Sequence, residues 1–207
     1  MDYGVYFLFH DWFENAPQRA VDGYLNDLRS IPGITPFLDE QYIADPITLE
    51  QLSHCAPGTL GAAYLKFIVD NGLEANLGTN YRTFNKKLHE QGKLDRLPEE
   101  MSYMMIRGFQ THDFLHVVTG YDSSPMGELA IASFYLAQLR FPYHAMRMAV
   151  TLGHAAFVNP TITVPAMDAI VDGWLRGRSS PNLNFERWEE KLDQPLLDIQ
   201  TEMKQAA

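Results

Sequence analysis

The segment from Pro98 to Gly120 constrains the fold more than any other part of the chain. Pro98 suits a helix start, where its missing N–H costs nothing. Glu99 and Glu100 put negative charge into the first turn, where the helix dipole favours it. Gly120 is a natural stop. Together they predict a helix of about six turns at 3.6 residues each.

The same punctuation recurs along the chain. Ala16 to Arg29 reads as a helix opened by Pro17 and closed by "SIPG". "GTLGAAYLKFIVDNG", residues 58 to 72, carries Leu60, Tyr64, Phe67 and Ile68 on one face and stops at Asn71-Gly72. Residues 73 to 97 are more polar and read as a loop with a short exposed helix. Pro125 begins a further helix capped by Ser124, Pro142 interrupts it, and another runs on to about Phe157. Pro165 opens a helix through Trp174. Phe185, Trp188, Leu192, Leu196, Ile199 and Met203 form a 3,4-spaced stripe on a last helix kinked at Pro195. β-Branched alternation is nearly absent. The expectation is an all-α, single-domain bundle of about seven to nine helices, some kinked at proline, occupying residues 1–207.

With 207 residues and 46% hydrophobic content, the chain can build one sizeable core. Its net charge of −10 supplies no basic stripe for phosphates, which excludes nucleic acid as a partner and docking by charge on anionic lipid. The opening "MDYGVYFLFHDWF" lacks a basic region and is broken by His10 and Asp11, so it does not read as a signal peptide. No stretch approaches the ~18 apolar residues that a spanning helix needs. The single cysteine, Cys55, excludes an internal disulfide and suits a reducing compartment. A cytoplasmic location follows, with membrane contact peripheral at most.

Within the long predicted helix the apolar stripe runs Met101, Met105, Phe109, then His112, His116 and Thr119. The two histidines sit one turn apart on one face, with Asp113 beside them. Two imidazoles and a carboxylate facing a core are costly without a partner. A divalent cation would remove the cost, and Glu128, early in the next helix, can return across the Gly120 to Gly127 turn as a fourth ligand. The bland alternative has Asp113 holding His116 in a core hydrogen bond, with Glu128 a first-turn acid that suits the helix dipole.

This arrangement, HDxxH, eleven residues, then Glu, resembles the metal motif of the ubiquinone (coenzyme Q) biosynthesis protein family, matched by His112, Asp113, His116 and Glu128. Tyr103, Arg107, Gly120, Gly127, Gln138 and Pro142 also fall where members have those residue types. "PGTLGAAYLKFI" is similar to the family's TLG helix, and "FERWEEKLDQPLLDI" to its C-terminal Trp-Glu segment. The likeness covers about residues 45 to 200; residues 1 to 45 match less clearly. Phe109 and Gln200 depart from it, standing where members often carry arginine.

The resemblance implies one divalent metal ion, a hydrophobic cavity for a polyprenyl chain, a homodimer, and work on a membrane-derived quinone precursor at the inner face of the membrane. Two activities are implied: removal of the ring carboxyl of a polyprenylated hydroxybenzoate, leaving a hydroxyl at that carbon, or a scaffold for other quinone-biosynthesis proteins. The nitrogen and oxygen donors suit zinc, and equally iron, manganese or cobalt, because no thiolate biases the choice. Arg107 lies about 140° round the helix from His112 at ~100° per residue, so it faces solvent, a structural partner or an anion at the pocket mouth. Tyr135 and Gln138, on Glu128's helix, are candidates for the pocket wall. The methionine and phenylalanine content could line a prenyl cavity, though such residues more often are core. A helical His-Asp phosphohydrolase, using His54 or His89 and Asp168, is the distant alternative; it leaves His116 and Glu128 unexplained.

Overall fold

A computed structural model describes residues 11–13, 15–92 and 97–205. Residues 1–10, which hold most of the apolar opening, lie outside them. The described residues are all-α: nine helices of seven or more residues, one shorter helix, four single 3₁₀ turns and no strand. They fall into two compact units, one of residues 1–35 and 121–182, the other of residues 36–120 and 183–207.

The first unit holds α1 (Gln18–Arg29), α7 (Pro125–Leu139), α8 (Pro142–Val158) and α9 (Thr163–Ser179), while α2 (Ile34–Glu40) spans the change of unit. Ser124 caps α7 as its sequence implies, its hydroxyl accepting from the Gly127 amide at 3.2 Å. α7 ends at Arg140, whose φ of 54° is left-handed, and Pro142 then occupies the first turn of α8. α9 is longer than Pro165 to Trp174. Its extension carries Gly177, and both Gly173 and Gly177 seat the helix on α7: a Cβ on Gly173 would stand 2.1 Å from the Ala130 carbonyl oxygen, and one on Gly177 2.8 Å from that of Phe134. Glycine inside a helix costs about 1 kcal/mol of propensity, which the close approach offsets through backbone contact. The Ser133 hydroxyl donates to the Ile170 carbonyl at 2.7 Å along the same line. Leu129 and Ala132 of α7, Met148 of α8 and Ala166 of α9 form the buried cluster joining the three helices.

The second unit holds α3 (Leu49–Ser53), α4 (Leu60–Asp70), α5 (Tyr81–Glu90), α6 (Glu99–Thr119) and α10 (Leu196–Gln205). α6 is the predicted long helix, stopped by Gly120 at φ 78° with its amide donating to the His116 carbonyl. It is buried around much of its circumference, as a helix that is apolar on several faces must be. The Phe114 ring stacks on Tyr64 of α4 with centroids 4.1 Å apart. Tyr81 of α5 donates to the Phe109 carbonyl at 3.3 Å, and Gln200 of α10 donates to that of Val118 at 3.3 Å. Phe109 departs from the expected core stripe. Its ring is 42% exposed and meets Phe84 edge-on at the surface.

The C-terminal stripe is not one kinked helix. Leu183–Phe185 and Trp188–Glu190 are 3₁₀ turns, and α10 begins only after Pro195. The reason lies in backbone pairing. The amides of Leu60 and Gly61 donate to the carbonyls of Gln194 and Leu192, and the Leu196 amide donates to that of Gly58, so this stretch is a turn bridged to the start of α4 rather than helix. α2 and α3 were not apparent in the pattern; a capping box of Thr48 with Gln51 marks the start of α3.

Candidate metal centre

His112, Asp113 and His116 occupy the last two turns of α6, where one helical turn brings the two imidazoles to a centroid separation of 4.8 Å, inclined at 65°. The His116 ring is 1% exposed and lies nearly parallel to Phe67 at 5.2 Å. Such packing fixes its plane. Asp113 places Oδ1 3.2 Å from His112 Nδ1. In the tautomer that makes this contact a hydrogen bond, Nδ1 donates to the carboxylate and the ring lone pair falls on Nε2. A histidine whose far nitrogen donates to a carboxylate is the form found in metal sites, where that bond fixes the tautomer and raises basicity.

Asp113 also lines a small polar cavity of ≈ 30 Å³ with Tyr64, Tyr81, Gln110 and Glu189. Burial pushes both phenols up, helped by the Asp113 charge, Tyr81 to about 12. Under the cavity Arg107 is buried, not solvent-facing: its guanidinium takes both oxygens of Glu189 at 2.6 and 3.0 Å and donates to Gln110 Oε1 at 2.5 Å and the Glu186 carbonyl at 2.8 Å. Gln110 in turn exchanges hydrogen bonds with both backbone groups of Ala44. The anion that Arg107 meets is thus a residue of this chain, 82 positions away, which no local spacing could disclose.

In the other unit Glu128 sits in the first turn of α7 and its Oε2 accepts from Arg147 of α8 at 2.8 Å. Arg147 was absent from the sequence reading, because nothing in the spacing of α7 and α8 marks it. Tyr135 stacks on His144 with centroids 4.6 Å apart, and Gln138 donates to the Gly177 and Pro181 carbonyls, closing the end of α9. Within the second unit α6 brings the His112 and His116 imidazoles together, and within the first unit the acid of the motif, Glu128, is held by Arg147.

Residues 38–206 match the family described as coenzyme Q (ubiquinone) biosynthesis protein Coq4. The chain belongs to this family. Among curated Coq4 relatives, the mitochondrial ubiquinone biosynthesis protein COQ4 homolog of Danio rerio is 25% identical over 72% of this chain and 51% of its own length. The Homo sapiens homolog is 24% identical over 86% of this chain and 64% of its own. The chain thus spans about half to two thirds of these relatives. A crystal structure of a provisionally named ubiquinone biosynthesis protein from Nostoc punctiforme has the same fold, with a TM-score of 0.73 at 23% identity over 96% of this chain and 86% of that one. The relatives are named mitochondrial, where the sequence of this Coq4 member suggested a cytoplasmic protein. No described helix is long and apolar enough to cross a membrane.

Proposed function

We propose that this Coq4-family chain acts in ubiquinone biosynthesis on a polyprenylated hydroxybenzoate, holding one divalent metal ion on His112, His116 and Glu128, the ring carboxyl leaving as carbon dioxide and a hydroxyl taking its place in a two-electron oxidation for which dioxygen would be the oxidant. The observation that carries the reading is the contact of Asp113 Oδ1 with His112 Nδ1 at 3.2 Å. With Nδ1 donating to Asp113, Nε2 is the ring nitrogen left to bind a metal, while the neighbouring His116 ring is fixed against Phe67. That donor chemistry fits zinc, iron, manganese or cobalt. Asp113 serves either as a further ligand, as the family motif implies, or as the group that orients His112.

When bound, the metal supplies Lewis acidity toward the anionic carboxylate or phenolate of the substrate. The chain's own residues do the rest. Tyr64 presents its hydroxyl beside Asp113 for a ring's oxygen substituent, and its raised phenol remains a protonated donor at neutral pH. The Arg107–Glu189 pair holds Gln110 in place.

One observation favours a scaffold as the second reading. Phe157, Val158, Val164, Val171 and Leu175 are all at least half exposed on α8 and α9, with Phe157 at 90%. Exposed apolar residues grouped on two adjoining helices suit contact with a protein, a membrane surface or a second copy of the chain. The experiment is metal analysis of protein purified without added metal, beside His116→Ala and Glu128→Ala, followed by turnover of a polyprenyl hydroxybenzoate under air. About one equivalent of metal, lost in both variants and accompanied by product, supports the enzyme. Bound metal without turnover moves the reading to the scaffold, and no metal at all removes its foundation.

A further inference from the structure

The two kinds of candidate ligand are partnered in opposite senses. His112 Nδ1 stands 3.2 Å from Asp113 Oδ1, placed to donate a hydrogen bond to the carboxylate. That bond enriches the ring and strengthens Nε2 as a donor. Glu128 instead receives an N–H from a cation, Arg147 Nη2 at 2.8 Å, with the two side chains 27% and 33% exposed. A charge-assisted donor withdraws electron density from the carboxylate and competes for its lone pairs. This pair is held in register rather than met by chance. Leu129 and Met148, the residues immediately following Glu128 and Arg147, belong to one buried cluster, so the rotation and the mutual height of α7 and α8 are fixed at that turn.

We infer that Arg147 weakens Glu128 as a metal ligand, the guanidinium holding the carboxylate so that Glu128 would be the group with which an anionic substrate oxygen competes most easily. The inference rests on the metal reading above and concerns residues that reading leaves unexplained. A carboxylate has about four acceptor sites, so sharing between Arg147 and a metal is sterically feasible; the effect of Arg147 is to weaken the second bond. Competition for the lone pairs and repulsion between a guanidinium and a divalent cation act in the same direction. Repulsion between a single and a double positive charge a few ångströms apart in a water-like dielectric is on the order of tenfold in affinity. An ion pair this exposed contributes little to folding, so its removal leaves the protein intact.

The test titrates the purified apoprotein with Zn²⁺ and with Co²⁺ against a competing chelator, for the parent, Arg147→Met, Arg147→Lys, Glu128→Gln and the Glu128→Gln/Arg147→Met pair, each checked by thermal melting. Arg147→Met should bind about tenfold more tightly than the parent, Arg147→Lys should stay near the parent, and the gain should shrink once Glu128 is already Gln. For Co²⁺, the visible spectrum of Arg147→Met should respond less to added benzoate than that of the parent, since a firmer Glu128 resists displacement. Unchanged or weaker binding by Arg147→Met, in a parent that binds metal, overturns the role of Arg147 and leaves the metal reading standing. A parent that binds neither ion overturns both.

Discussion

Replacing Arg107 by Met tests the most heavily connected polar group in the second unit. The Arg107 and Glu189 side chains are 3% and 6% exposed, and the guanidinium makes hydrogen bonds to Glu189, Gln110 and the Glu186 carbonyl. Arg107→Met leaves the Glu189 carboxylate buried without its counter-charge and strips Gln110 of one donor. Breaking a buried pair from one side costs about 3–5 kcal/mol, because the remaining charge keeps its desolvation penalty. For a chain of this size that corresponds to a fall in Tm of roughly 6–20 °C, at about 2–4 °C per kcal/mol. The assay is denaturant unfolding with a thermal melt in parallel. The diagnostic control is Arg107→Met/Glu189→Leu, which removes both charges and should recover most of the loss, since buried pairs are often no better than well-packed apolar replacements. A single variant within about 1 kcal/mol of the parent, or a double variant worse than the single, would refute the claim that the cost is the stranded carboxylate.

Three further outcomes are expected. Gly173→Ala places a Cβ 2.1 Å from the Ala130 carbonyl oxygen, so α9 must shift off α7; a loss of about 1–3 kcal/mol should appear in denaturant unfolding, whereas Gly153→Ala, with nothing within 4 Å, should be neutral or stabilising. Burial raises the Tyr81 and Tyr103 phenols from the usual 10.0 to about 12, so the folded state favours their protonated forms. Their contribution is therefore complete below about pH 10 and is lost as pH climbs toward 12, which melts recorded from pH 8 upward should show as a decline in Tm that begins only above about 10. Ser124→Ala removes the hydroxyl that caps α7 and should cost about 0.5–2 kcal/mol by the same unfolding assay, with Ser124→Asp close to the parent.

How far the fold could be read from sequence depended on whether its cause was local. The limits of α6 were set by Pro98, two acids and Gly120, all adjacent to the ends they define, and the caps of α7 and α8 were legible for the same reason. The extension of α9 was not, because Gly177 looks like a helix breaker until the backbone of α7 is known to lie against it. The C-terminal segment carried a true helical spacing of apolar residues, yet residues 192–194 pair with the start of α4, a partner more than 130 positions earlier. The candidate site divides in the same way. The clustering of His112, Asp113 and His116 follows from helical periodicity and was visible in the sequence. The partners that tune those groups, Glu189 for Arg107 and Arg147 for Glu128, come from other elements and had no local signature.

The glycine seam between α7 and α9 bears on more than packing. Where main chain rests on main chain there are no rotamers to exchange, so the joint cannot be relieved by repacking a neighbour; it is either kept or broken. Ala130, the point of closest approach, lies two residues after Glu128 on the same helix, about 3 Å farther along its axis at 1.5 Å per residue. The position of the acidic side chain is therefore gauged from a glycine forty-five places downstream. Sequence drift can alter the outward faces of both helices freely, but a single methyl group at that one contact would shift the carboxylate as a surveyor's benchmark shifts every height measured from it.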